Sequence, residues 1–322
     1  MSQTSPETTG KSTTGPSTTG SSTTLDANTN GFDIVRPKRW PWVVGVLVIA
    51  ALVAGFVIYR NAGGSESANT TAGATLNVVY LDSNPAEQKI IEYVSNNIAG
   101  GYGIKVGAVG LGDSNQINRA VSDGTYAGTI FQHRHWLQQV LDANPDFREE
   151  AWTGPIFHWV FGIWSDKYAT PQDIPQNAKI SLLADPANEA QGIWYLAQAG
   201  LITLRPGADV TALTQRDIAT NPKNLQFTLL DFGAQPRSLA DLDAIVGYAE
   251  SFLAAGVPED KLIFAPKSPD EFASILTVGS DYTGTDNIKN LIKAFNDPRV
   301  QQFIATDPEV KKLALPAQPV TA

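Results

Sequence analysis

Gln132, His133, Arg134, His135 and Trp136 stand in succession at the end of a short β-favouring run, Tyr126 to Phe131, that follows the turn dipeptide Asp123-Gly124. A core strand has no need of five polar or aromatic groups in a row at its end. In an open α/β sheet that is where a strand hands over to a helix and meets a ligand. His133 and His135 would share a face if the strand continued, one geometry for a metal, with His158 or a carboxylate as a third ligand. No spacing fixes that third ligand, so no metal is expected. Nor does the sequence hold a G-x-S-x-G elbow or an H-E-x-x-H pair, so no catalytic residue is expected either. The alternative for His133 is a cap within a buried polar network.

The glycines at 107, 110 and 112 do not form G-x-G-x-x-G, and Gly10-Lys11-Ser12-Thr13 lacks both the earlier glycine and a preceding strand of a phosphate loop. No cofactor is expected. A net charge of -9 and a pI of about 4.8 argue against a nucleic-acid partner. The chain has no cysteine, which excludes disulfides, thiolate metal sites and a cysteine-linked lipid.

The elements that must position the central cluster alternate between strand and helix, an α/β pattern. Strands are expected at Leu76 to Tyr80, Ile104 to Val109, Phe157 to Trp164, Lys179 to Leu183, Leu225 to Leu230, Asp243 to Tyr248 and Lys261 to Ala265. Asn84-Pro85 starts a helix with Ile90, Ile91 and Val94 on one face, a second helix carries Ile117, Ala120 and Val121, and a third covers Trp136 to about Ala143. Asp185-Pro186 opens another that Gly200 stops, and Ile288 to Phe295 and Asp297 to Ala305 are helices near the end.

Ahead of this body, residues 1–35 are mostly Ser, Thr, Gly, Pro and Asn, a composition too polar to fold. Residues 36–60 hold a basic cluster, Arg36-Pro37-Lys38-Arg39, and an uncharged run at 40–59 long enough to span a bilayer, with Trp40, Trp42 and Tyr59 at its ends. The basic flank places the tail in the cytoplasm and the rest outside, as a single-pass protein of the cell membrane. A cleaved signal peptide is the competing reading. Residues 61–75 read as a flexible tether.

Phe131-Gln132-His133 followed by Trp136-Leu137 resembles the F-Q-H-x-x-Y-L stretch of the NlpA/MetQ family, the substrate-binding proteins of methionine-type ABC importers. Five further stretches are similar, in order: Asn118-Arg119-Ala120 with Gly124, Trp164 to Tyr168, Asp185 to Asn188, Ala199 to Ile202, and Gln235 to Leu239 with Asp241 and Asp243. The resemblance covers roughly residues 76 to 315. It implies an α/β, two-lobed periplasmic-binding-protein-like fold with crossover strands, here preceded by an N-terminal transmembrane helix. Residues 76–163 and 248–322 would form lobe 1 and residues 164–247 lobe 2, with Phe157 to Trp164 and Asp243 to Tyr248 as the crossovers. It also implies a small-molecule ligand, ABC permease and ATPase partners, and no catalytic turnover. A ligand sensor or assembly protein using the same cleft is the alternative.

The resemblance brings Asn118, Phe131, His133, Trp136, Asn188, Gln191 and Glu250 to the site. Gln191 falls where the family's arginine clamps the ligand carboxylate, and Glu250 falls where a family asparagine meets the ligand amine. Losing a bidentate cation and gaining a carboxylate favours a cationic or neutral ligand over a zwitterionic amino acid. Arg119 or Arg134, each beside a motif residue, is the alternative source of positive charge.

Overall fold

The computed structural model describes residues 67–320. The tail, the apolar run at 40–59 and residues 61–66 of the tether lie outside the described residues, and among the described residues no helix is long and apolar enough to cross a membrane. Residues 67–74, expected to belong to the tether, are pinned to the body. The Ser67 hydroxyl donates to Gly124 O, and the Asn287 amide donates to the carbonyls of Ala68 and Thr71.

The chain lays down β1 (Thr75–Leu81), α1 (Pro85–Asn97), β2 (Lys105–Leu111), α2 (Ser114–Ser122), the two-residue β3 (Gly128–Thr129) and α3 (Arg134–Ala143). Next come β4 (Glu149–Trp159), β5 (Phe161–Trp164), β6 (Lys179–Leu183), α4 (Pro186–Gln198), and a small pair, β7 (Thr203–Leu204) and β8 (Ile218–Thr220). β9 (Gln226–Leu230), β10 (Ala244–Tyr248), α5 (Ala249–Ala254) and β11 (Leu262–Phe264) follow. The last elements are β12 (Ser274–Gly279), α6 (Asp286–Phe295), α7 (Pro298–Thr306) and β13 (Ala314–Pro316).

These strands build two mixed sheets. The first has the order β13-β4-β12-β3-β1-β2, parallel among β2, β1 and β3 and antiparallel beyond. The second has the order β11-β5-β10-β6-β9, parallel among β10, β6 and β9. The fold is α/β and two-lobed.

Helix starts follow their local chemistry. Asn84 caps α1 by accepting from the backbone N–H of Ala86 and Glu87, with Pro85 at the first helical position. Asp185 does the same for α4 through the N–H of Asn188, and Gly200, at φ 72°, ends the run after that helix.

The chain's passage between sheets differs from the expectation. Phe157 to Trp164 is two strands, and the chain changes sheet at Val160. Its N–H donates to Leu313 O and its carbonyl accepts from Ala249 N, each at 2.8 Å. Every residue flanking the break from Ile156 to Trp164, Val160 aside, is buried, so hydrophobicity alone carries no mark of where the chain turns. Asp243 to Tyr248 does not cross at all. β10 lies inside the second sheet, and β11 at residues 262–264 still pairs with β5. The return runs through residues 265–273. There His158 of β4 holds Ser268 (Nδ1 to Oγ, 3.0 Å) and Asp270 (Nε2 to Oδ1, 3.1 Å).

The strand expected at Tyr126 to Phe131 is paired only at Gly128 and Thr129. Beyond it Gln132 O accepts from Ile275 N, and His133 bridges Ser274 before α3 begins. The core includes Phe157, Trp164, Tyr195 and Phe252, each fully buried; Phe252 stacks on Trp164 with ring centres 4.5 Å apart.

Candidate functional site

A cleft of about 370 Å³ opens where the parallel strands of both sheets end. Leu81 closes β1, Leu183 closes β6 and Tyr248 closes β10, so the cleft lies at the carboxyl edge of each sheet, where α/β proteins meet ligands. Its walls are largely aromatic: Phe131, Trp136 and Trp159 on the first side, Phe232 and Tyr248 on the second, with Phe232 still 43% exposed.

His133 is the N-cap of α3, not a strand residue, so the shared strand face with His135 does not exist. The Trp136 N–H donates to His133 Nδ1, which assigns the ring proton to Nε2. Nε2 lies 3.4 Å from Asn188 Oδ1. The Tyr248 hydroxyl donates to the same oxygen at 2.6 Å, and the Asn188 amide donates to Asp185 Oδ2 at 3.0 Å. His133, Asn188, Tyr248 and Asp185 therefore form one hydrogen-bonded chain that joins α3 on one side of the cleft to α4 and β10 on the other. Burial pushes the His133 imidazole down to about 4, so the ring is neutral at physiological pH and brings no charge to the cleft. Among the described residues no group of three or more His, Cys, Asp or Glu is placed to hold a metal ion.

The carboxylates are arranged differently. Glu87, Asp113, Asp185 and Glu250 all line the cleft, and among the described residues no Lys or Arg does. Asp113 caps α2 through Gln116 N, and Asp185 is engaged with Asn188. Glu250 Oε2 accepts from the Asn84 amide at 2.6 Å, across from the other side of the cleft. Burial pushes its carboxyl up to about 7. Glu87 is fully buried. Its Oε2 accepts from Leu81 N, its Oε1 has no partner, and burial together with the nearby Glu250 raises it well above the usual carboxylate range.

Five of the seven residues expected at the site, Phe131, His133, Trp136, Asn188 and Glu250, line this cleft. Gln191 does not. It is buried one turn beyond Asn188 on α4, with its Oε1 3.1 Å from the Tyr248 hydroxyl, so Tyr248 stands between it and the cleft. Asn118 is buried on α2 away from the cleft, and neither of its amide atoms has a hydrogen-bond partner. Neither arginine supplies the missing charge. Arg119 is ion-paired to Asp146 at 2.6 Å and lies over the Phe147 ring, while Arg134 is exposed outside the cleft. Gln132, in the cluster expected to meet a ligand, lines the cleft, whereas the sequence does not single out Glu87, Asp185, Phe232 or Tyr248 as lining groups. Asp185 reads from the sequence as a helix cap and Tyr248 as the end of a strand, and it is their position at a sheet edge that gives them the cleft.

Known proteins are similar to this chain in sequence and in fold. Lipoprotein 28 of Escherichia coli is 27% identical over 260 residues, covering 80% of this chain and 92% of that protein. A periplasmic substrate-binding protein of an ABC transporter from Coxiella burnetii superposes with a TM-score of 0.64 at 25% identity, over 75% of this chain and 99% of that one. A nutrient binding protein from Burkholderia cenocepacia, solved bound to methionine, superposes with a TM-score of 0.62 at 26% identity, over 76% and 99%. Matched from residue 83 to residue 318, the chain belongs to the NlpA lipoprotein family.

Proposed function

We propose that this protein is the membrane-anchored, extracytoplasmic solute-binding component of an ABC importer, handing a small molecule to a permease and its ATPase. Substrate binding without turnover is the general role of the family. The observation that carries the reading here is the bridged cleft: His133 from one side and Asn188 and Tyr248 from the other meet around one ligand-sized space. Phe131, His133, Trp136, Asn188 and Glu250 touch the ligand, and Gln191 acts through Tyr248. Residues 67–160 and 265–320 form one lobe and residues 161–264 the other, the division that sheet membership supports. Hinge closure of the two lobes on the solute follows the usual repertoire of such binders.

The anchor rests on the sequence. The family is one of lipoproteins, yet this chain has no cysteine to take a lipid, and the uncharged run at 40–59 with its basic flank supplies a membrane attachment instead. Protease added to intact cells should release the folded domain and leave a short membrane-held fragment. A mature N-terminus within or just after the run would show a signal peptide and end the anchor reading. For the binding role, the test is a thermal-shift screen of the full chain against amino acids, amines and short peptides, since a ligand of the folded state raises Tm. A chain that no small molecule stabilises, and that carries none on purification, would sink it.

A further inference from the structure

Two buried oxygens on side chains that line the cleft have no hydrogen-bond partner among the described residues. Glu87 Oε1 and Gln132 Oε1 are both buried against the cleft and both lack a hydrogen-bond partner; the Gln132 amide is turned away to the Thr277 hydroxyl at 3.3 Å. Among the described residues, the indole Nε1 of Trp136 is the one buried donor without a partner on a side chain that lines the cleft, and the Ser83 and Ser114 hydroxyls line it as well. Buried polar atoms are nearly always paired in a working protein, so these point to what the ligand must bring. The Gln132 oxygen asks for an N–H group, and the Glu87 oxygen becomes a second acceptor once a cationic ligand ionises that carboxyl.

Charge points the same way. Glu87 and Glu250 both line the cleft, Glu250 stands close enough to oppose the ionisation of Glu87, and among the described residues no Lys or Arg lines the cleft to offset them. Lys89 and Lys312 line a second groove that shares Glu250 with the cleft and are ion-paired to Asp307 and to Glu259 and Glu309. A ligand carboxylate placed here would meet two carboxyls and no base, at a cost that the neutral amide of Gln191, shielded by Tyr248, does nothing to reduce. An organic cation has the opposite balance, because its charge pairs with Glu87 and Glu250 while its apolar part meets aromatic faces that also favour a cation.

We infer that the cleft selects a protonated organic amine without a carboxylate, its ammonium group seated between Glu87 and Glu250 and donating to Glu87 Oε1 and Gln132 Oε1. This rests on the solute-binding role proposed above and names the class of solute. Gln132 and Glu87 are the specificity-determining residues that it adds to Glu250.

Three probes that share one side chain separate the alternatives in a calorimetric titration of the full-length chain in detergent. They are 3-(methylsulfanyl)propan-1-amine, L-methionine and 4-(methylsulfanyl)butanoate. The amine is expected to bind at least about tenfold more tightly than L-methionine, the value of one charge-assisted hydrogen bond, and the butanoate not to bind. Glu250→Gln should weaken the amine by about ten- to a hundredfold, and Glu250→Asp, which keeps the charge, by less. Glu87→Gln should act in the same direction; if that buried variant does not fold, the Glu250 pair decides alone. L-methionine binding as tightly as the amine would overturn the assignment and leave the solute-binding role standing. Silence from all three probes would also overturn it. Native mass spectrometry of the same preparation then tells whether the wider role falls too, because a co-purified solute of another class preserves that role.

Discussion

Glu149→Gln should stabilise the protein above neutral pH and leave its stability in acid unchanged. Glu149 opens β4, is only 5% exposed, and has no hydrogen-bond partner for either oxygen. Burial alone pushes its carboxyl from the usual 4.5 up to about 8. The unfolded chain gives up this proton near 4.5 and the folded protein keeps it to about 8, so between those values the folded state binds the extra proton and stability falls as pH rises. At about 1.4 kcal/mol per pH unit, the whole window bounds the loss at about 5 kcal/mol. Relaxation that lets water reach the carboxylate brings it nearer to about 2–3 kcal/mol, the cost of an unpaired buried polar group. For a folded body of this size that is roughly 4–10 °C in Tm. Denaturant melts of both proteins at pH 5, 6, 7, 8 and 8.5 give the test, since Glu87 and Glu250 are present in both and cancel in the difference. The advantage of the variant should grow from about pH 5 and level off above 8. A difference that stays flat across the range, or a variant less stable than wild type at pH 8.5, would refute the reasoning.

Tyr248→Phe removes the hydroxyl shared by Asn188 and Gln191 and should cost about 1–3 kcal/mol in a denaturant melt. Gln191→Leu should then cost less in the Tyr248→Phe background than in wild type, and strict additivity would show that the two side chains do not work as a pair. Phe252→Ala empties the face that stacks on Trp164 and should cost about 3–5 kcal/mol, with a change in the tryptophan emission of the folded state.

Local signals carried much of the fold. Asn84-Pro85 and Asp185-Pro186 mark helix starts because the capping side chain and the proline act within one turn, and α1 and α4 begin there. β6, at Lys179–Leu183, has the span read from the sequence. The first part of β4 was invisible because Glu149, Glu150, Gly154 and Pro155 are poor strand formers; its pairing with β12 and β13 is imposed by tertiary contact. β12 itself was overlooked beside the turn at Asp270–Phe272, although Ser274–Gly279 is rich in β-branched residues. In the site, positions on a strand end or at a helix cap could be named from the chain. Depth could not. Gln191 sits on the cleft-facing side of α4 by helical spacing, yet Tyr248 from another element covers it. Glu87 reads as an ordinary first-turn carboxylate, and only the fold draws it beneath Leu81 and into the cleft.

The position of Glu250 joins the charge of the cleft to the motion of the lobes. Its neighbour Ala249 donates its N–H to Val160 O, the residue at which the chain passes from one sheet to the other. Its own carboxyl accepts from Asn84, the cap of α1 on the opposite side. Glu250 therefore lies one residue from a contact with the point where the chain changes sheet, and its carboxyl also holds the cap of α1. Two carboxyls share a low-dielectric space, and burial holds the Glu250 carboxyl up near 7. A bound cation lets both carboxyls ionise without that penalty and draws the groups around it inward. Such a contact gains most when the lobes are closed and water is excluded, because Coulomb attraction strengthens as the dielectric falls. A neutral analogue of the same shape gains nothing of this kind. If the lobes close on a cationic solute as proposed, a carboxyl placed beside the sheet change makes that closure depend on the charge of the solute as well as on its shape.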